Sequence, residues 1–338
     1  MKARRAFGDE ERTHPVNEPR GRPGREVAGV ILGGGAVLLW SLSSACIVGV
    51  GQRLGAWQFL AVVSLIGGGL QVVGQRCLGR ELRSLLVLPW RLGLAVLVGF
   101  VLYLLLYTTA LVSAPTEVQA MGVNLMNYLW PTLAILFTTW WVPGERMHRR
   151  LMVAIALSLG ALLLANGADV FRLDFRDGIR PYLLGGGAAV SWAAYCALMS
   201  RWRSWASDYA ATPLGFLLVG IVASLVCGWR GEWQPMEKGT WVGVLVTALG
   251  PWAGGYMLWE MALHRVSGVT LGLMGAVTPV LSTLNLLGLY ALTAPGRVSG
   301  TRVVVLIVAA LLMAMAIALG ASSSRRTGQR DLERKGAG

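Results

Sequence analysis

The chain has few of the groups that carry out chemistry. Its three histidines, His14, His148 and His264, are scattered over 338 residues, and no acid pair or nucleophile-base set falls at one depth of any apolar segment. An enzyme would need such a constellation. The four cysteines, Cys46, Cys77, Cys196 and Cys227, show no paired spacing, so neither a zinc site nor a disulfide framework is expected. Lysine occurs only at positions 2, 238 and 335, which leaves no lysine inside an apolar segment to hold a chromophore as a Schiff base. The pattern GxxxxGK[ST] is absent, and with it the phosphate-cradling loop of nucleotide-driven machines. No cofactor and no metal is expected.

Charge is missing from most of the length. Only 14% of the residues are charged and 55% are hydrophobic, proportions that suit a protein dissolved in lipid. Apolar runs of about 17 to 25 residues, the length that spans a hydrocarbon core, occur near 28–51, 56–75, 92–112, 118–142, 151–167, 181–199, 211–229, 239–263, 267–290 and 303–321. Lys and Arg are absent from all ten, and Glu260 is the one formal charge inside them. In hydrocarbon every backbone polar group must be paired within the segment, so runs of this length predict helices and not barrel strands, which alternate. The predicted fold is an all-α integral membrane protein of ten transmembrane helices.

Residues 1–27 are polar and basic without an apolar core of their own, so the first span reads as a permanent anchor and not a cleaved signal. The N-terminal arm, alternate loops and the C-terminal tail hold 22 of the 30 Lys and Arg residues. Cations concentrate on the cytoplasmic side, which places both termini there. The formal net charge of +13 is accounted for by these topology-setting residues and their contact with anionic headgroups, so no nucleic-acid partner is expected.

The chain repeats itself. GGGAVLLW at 33–40 returns as GGGAAVSW at 185–192, and LYTTAL at 106–111 meets LWEMAL at 258–263, each 152 residues apart. Pro131 and Pro279 correspond at 148 residues, one four-residue gap later. Five spans separate each element from its copy, so the second half enters the membrane from the opposite side. Inverted halves meet around a central site that can face either side in turn. The predicted organisation is a basic arm over 1–27, a first five-helix repeat over 28–167, a linker over 168–180, a second repeat over 181–321 and a basic tail over 322–338.

Polar aromatics fall at one-face spacing in several spans: Tyr103 with Tyr107; Asn124, Tyr128 and Pro131; Trp192, Tyr195 and Met199; Trp252, Tyr256 and Trp259. Such stripes serve core packing as readily as a cavity, but phenols and amides in a dry bundle need partners that a wet cavity supplies. Trp40 and Trp192 sit roughly 18 Å into their spans, away from the interface that tryptophans prefer. Pro131 and Pro279 are the helix-break candidates: each removes a hydrogen bond and frees the carbonyl four residues earlier, at Asn127 and Gly275. Those carbonyls can accept from an ammonium group, or neighbouring helices can satisfy them. With no buried Arg or Lys, a solute held there is expected to be neutral or zwitterionic. Glu260, with His264 one turn on, is a candidate for ion coupling; a snorkelling interfacial acid or a local Glu-His pair fits equally.

Two five-helix halves, YLWP at 128–131 followed by PGER at 143–146, and GGYMLWEMAL at 254–263 followed by VTPVL at 277–281 resemble the drug/metabolite transporter superfamily of EamA type. Within it NYLWP at 127–131 resembles the aromatic amino acid exporter branch, the YddG-like proteins. The resemblance covers roughly residues 28–321. It implies a bacterial inner-membrane exporter of aromatic and other neutral amino acids, whose partners are that small-molecule substrate and the lipid bilayer; the sequence leaves the oligomeric state open, a monomer included. It also implies a cavity lined by Trp40, Tyr103, Asn124, Tyr128, Trp192, Tyr195, Trp252, Tyr256, Met274 and Thr278. A multidrug or metabolite carrier of the same superfamily is the alternative. Glu260 departs from the neutral polar residue common in such proteins, and the first span lacks the acid on which proton/drug exchange in small multidrug members depends.

Overall fold

The computed structural model describes residues 23–142, 149–166, 178–206, 209–263, 265–266, 274–296 and 298–336. Among these residues the regular structure is helical throughout, without strands. In chain order the main helices are α1 Glu26–Leu54, α2 Ala56–Cys77, α3 Trp90–Val112, α4 Glu117–Trp141, α5 Arg149–Asn166, α6 Arg180–Met199, α7 Ala211–Arg230, α8 Lys238–Ala262, α9 Thr278–Thr293 and α10 Gly300–Leu319. Eight of them are long and apolar enough to cross a membrane. The other two, α5 and α9, fall on the predicted fifth and ninth spans but are shorter: the apolar part of α5 is Met152–Ala165, and α9 has 16 residues. Residues 267–273 of the ninth predicted span lie outside the described residues.

The helix ends follow local chemistry. Gly55, at φ +78°, makes the tight turn from α1 to α2, in a region closed to most side chains. Gly231, at φ +64°, ends α7, where its N–H reaches the Gly228 carbonyl and that of Glu232 reaches Cys227. Two elements extend past the predicted boundaries: helical backbone starts at Pro23, inside the basic arm, and α10 continues as helix to Gly336, through the predicted tail.

Large apolar side chains stand exposed around the outside, Ile31, Leu38, Leu225, Leu292 and Val304 among them. A water-soluble monomer rarely shows so much apolar surface; a hydrocarbon solvent favours it. Inside, α2 packs along α7, and α5 along α10. The first helix α1 lies against α8 and α9, while α6 lies against α3 and α4. Exchanging each helix for the one five places along leaves this pattern of neighbours unchanged.

The same exchange reaches single residues. A Cβ on Gly68 would stand 3.1 Å from Leu217, and one on Gly220 2.6 Å from Leu65; both members of the second pair lie 152 residues from their counterparts in the first. Gly35 meets Leu258 and Gly187 meets Leu106, each at 3.2 Å, again across halves and again at that offset. Small residues let the backbones come this close in lipid, where packing and not hydrophobicity joins helices. Gly220→Ala is therefore expected to overpack the α2–α7 seam at a cost of about 1–3 kcal/mol. A melting temperature in detergent several degrees below that of the parent chain would show it.

Wide π-type turns interrupt α3 over Val96–Val101 and α8 over Ala248–Gly255. They begin 152 residues apart, and each sets a glycine against the first helix of the other half. A Cβ on Gly99 would come 2.5 Å from Tyr195, and one on Gly255 2.8 Å from Trp40. Pro251 lies inside the second wide turn, where its missing N–H interrupts the ladder. Wide turns of this kind are frequent at functional sites.

Candidate functional site

The two tryptophans of the repeated octets meet a shared partner. Tyr256 of α8 has its ring centroid 4.9 Å from Trp40 of α1 and 5.8 Å from Trp192 of α6, both edge-on. Trp192 is the centre of the cluster: it also contacts Tyr103 at 5.0 Å, Tyr195 at 5.2 Å, Phe100 at 5.8 Å and Trp130 at 6.1 Å. Tyr103 and Tyr107 stack nearly parallel on α3.

These rings wall a partly open cavity of about 40 Å³, room for roughly three waters. Of the predicted residues, Trp40, Tyr103, Tyr128, Trp192, Tyr256 and Thr278 line it. Ser43, Tyr107, Asn127, Trp130 and Gly275 line it too, so among the described residues no charged side chain faces it. Drug-sized ligand pockets run to several hundred Å³, so a solute larger than a few waters must move the ring wall to enter.

Breaks in two helices shape the wall. In α4 the helix stops at Asn127 and restarts at Trp130, with Pro131 in its new first turn. The amides of Tyr128 and Leu129 bond to carbonyls three residues back, Leu125 and Met126, at 3.0 and 3.1 Å. Before α9, Val277 reaches back to Met274 at 3.2 Å, and Pro279 occupies the first turn. The carbonyls of Asn127 and Gly275 lose their helical donors to Pro131 and Pro279, and both residues lie on the cavity. The α4 break also explains Trp130, which an unbroken helix would turn away from Tyr128. Ser43 had a signal in the sequence, three residues after Trp40 on α1.

The other predicted residues lie elsewhere. Trp252 is 2% exposed and packs against Phe59 and Phe216, with its indole Nε1 donating to Ser64 Oγ at 3.3 Å. The wide turn of α8 separates it from the face of Tyr256, so 3.6-residue spacing misassigns it. Tyr195 stacks behind Trp192, and Met274 abuts Gly34.

Asn124 is buried in a polar network beside the cavity. Its Oδ1 accepts from Tyr107 OH at 2.7 Å and its Nδ2 donates to Ser282 Oγ at 3.0 Å; Ser282 Oγ lies 2.6 Å from Ser44 Oγ. The network ties α3, α4, α9 and α1 together.

Glu260 is off the cavity. Its Oε2 accepts from Gln75 Nε2 at 3.0 Å and from Thr212 Oγ1 at 3.5 Å, joining α8 to α2 and α7. His264, its predicted companion, lies outside the described residues. Among those residues no three His, Cys, Asp or Glu side chains gather as a metal site would require.

Known proteins resemble this chain in sequence and in fold. An aromatic amino acid exporter, YddG, from Ancylobacter novellus is 28% identical over 258 residues, covering 76% of this chain and 86% of that protein. Its Escherichia coli namesake is 28% identical over 265 residues, 73% of this chain and 84% of that one. The resemblance to the YddG-like exporters is borne out. A third YddG, from Salmonella typhimurium, is 31% identical over 180 residues, covering 49% of this chain and 57% of that one. A crystal structure described only as that of a protein superposes with a TM-score of 0.62 over 90% of this chain and 100% of that one, at 24% identity, and so shares the fold. No family model matches the chain. With YddG-like relatives and long apolar helices, the chain is a multi-pass membrane protein.

Proposed function

We propose that the chain exports aromatic and other neutral amino acids across the bacterial inner membrane by alternating access, with both termini in the cytoplasm. In this reading α1–α5 and α6–α10 are the two inverted repeats, and α5 and α9 complete ten spans. The neighbour pattern that survives exchange of the halves supports it, as do the Gly-Leu pairs at one offset. The observation that carries the function is the meeting of Trp40 and Trp192 on Tyr256. One copy from each half forms the wall of an uncharged cavity, so rocking the halves opens that wall to one side or the other. A lining of rings and hydroxyls holds an aromatic side chain by its surface and a zwitterion without net charge. A carrier of nucleotide sugars would need cations for the diphosphate, and none lines this cavity among the described residues.

Reconstitution tests this directly. Liposomes holding the purified chain and a mixture of labelled amino acids are expected to release Trp, Tyr and Phe well above protein-free controls; release of none of the mixture contradicts the reading. The same assay with an imposed pH gradient probes Glu260 as the coupling residue: gradient-sensitive efflux is expected to become insensitive in Glu260→Gln. Efflux of the parent chain that ignores the gradient removes coupling and leaves Glu260 as a tie between α2, α7 and α8.

A further inference from the structure

Among the described residues two polar atoms of the cavity lining have no partner, the indole Nε1 of Trp40 and the amide Oδ1 of Asn127. Asn127 is only 3% exposed. An unpaired acceptor at that depth is costly, and native proteins satisfy nearly all such groups. Two further acceptors belong to residues of the same cavity lining, the backbone carbonyls of Asn127 itself and of Gly275, whose helical donors are replaced by Pro131 and Pro279. Gly275 has no side chain, so backbone is all it can present to the cavity it lines. Acceptors on three groups of one lining suit the three N–H bonds of a primary ammonium, and Trp40, on the same lining, carries an N–H on a different helix.

Resting on the amino-acid reading above, we propose that Asn127 reads the free ammonium of the substrate, through its amide oxygen and the freed carbonyls, while the indole N–H of Trp40 reads the carboxylate. An N-acylated amino acid keeps one N–H and loses its positive charge. It therefore leaves the acceptors at the α4 and α9 breaks underused, and buried groups left unpaired are what give polar sites their discrimination. An amino acid amide keeps the ammonium but withdraws the anionic acceptor from Trp40.

The test uses proteoliposomes loaded with tryptophan, N-acetyltryptophan or tryptophan amide, with leakage from protein-free liposomes subtracted. The parent chain is expected to release tryptophan at least about tenfold faster than N-acetyltryptophan, the ratio one hydrogen bond to a charged group supports. In Asn127→Leu tryptophan release falls about 10- to 100-fold and the preference over N-acetyltryptophan collapses toward unity. In Trp40→Phe, which keeps the ring and removes the N–H, the preference over N-acetyltryptophan persists while that over tryptophan amide shrinks. Size-exclusion profiles check folding; if Asn127→Leu does not fold, Asn127→Ser, which withdraws the amide oxygen from the cavity, reads the same ratio. Equal release of tryptophan and its N-acetyl derivative by the parent chain, or an unchanged ratio in the Asn127 variants, overturns the assignment. Failure of the parent chain to release tryptophan at all overturns instead the exporter reading on which it rests.

Discussion

Replacing Trp192 by alanine is expected to abolish efflux of aromatic amino acids, and Tyr128→Ala to do the same. Trp192 touches five other rings and lines the cavity from the second half together with Tyr256, Gly275 and Thr278, while Tyr128 sits in the α4 break on the same cavity. An aromatic side chain presents 150–250 Å² of apolar surface. A substrate that loses contact with half of one such face forfeits about 2–3 kcal/mol at roughly 25 cal/mol per Å², a thirty- to hundredfold fall in rate if the contact is kept through the transport step. Truncating a buried Trp also weakens the bundle by about 3–5 kcal/mol, so efflux is to be normalised to protein recovered as a single size-exclusion peak. Parental rates in both variants would mean that the ring wall packs the core and does not meet a solute.

The second large effect is expected at Asn124. Substitution by leucine keeps the volume but strands Tyr107 OH, which loses its acceptor, and takes away the amide that donates to Ser282. Each buried polar group left unpaired costs about 1–3 kcal/mol, so the loss is about 2–5 kcal/mol and the melting temperature falls by at least several degrees. Because Asn124 and Ser282 share one network, Asn124→Ala and Ser282→Ala are expected to be non-additive by about 0.5 kcal/mol or more in a double-mutant cycle. Additive losses would show that the four side chains do not act together. The network has no copy in the other half. Ser44, Tyr107 and Ser282 correspond to Cys196, Trp259 and Ala134 at offsets of 152, 152 and 148 residues, so the duplication preserves packing here but not polarity.

That contrast shows what the sequence could disclose. The long helices were legible because hydrocarbon removes every alternative for an uncharged run of 20 residues. Trp40, Tyr103, Tyr128, Trp192 and Tyr256 come one each from α1, α3, α4, α6 and α8; their polar aromatic character inside apolar runs marked them, and the packing of the helices brings them together. Trp252 does not join them, since the π-type turn over Ala248–Gly255 breaks the 3.6-residue period that linked it to Tyr256. Trp130 joins them unpredicted because α4 is broken between Asn127 and Trp130. Glu260 was visible as the lone charge in an apolar run, but its partners Gln75 and Thr212 lie 185 and 48 residues away, and no local pattern links residues so far apart.

Two halves that alternate around one cavity must expose it to solvent from each face of the membrane in turn, and that exposure can be measured. With Cys46, Cys77, Cys196 and Cys227 replaced by serine, Thr278→Cys places one thiol on the cavity wall in right-side-out and inside-out vesicles. A membrane-impermeant thiol reagent is expected to label it from either face, and tryptophan to slow labelling from both. Labelling from one face alone, or labelling that tryptophan does not touch, would contradict an occupied cavity shared between two alternating halves.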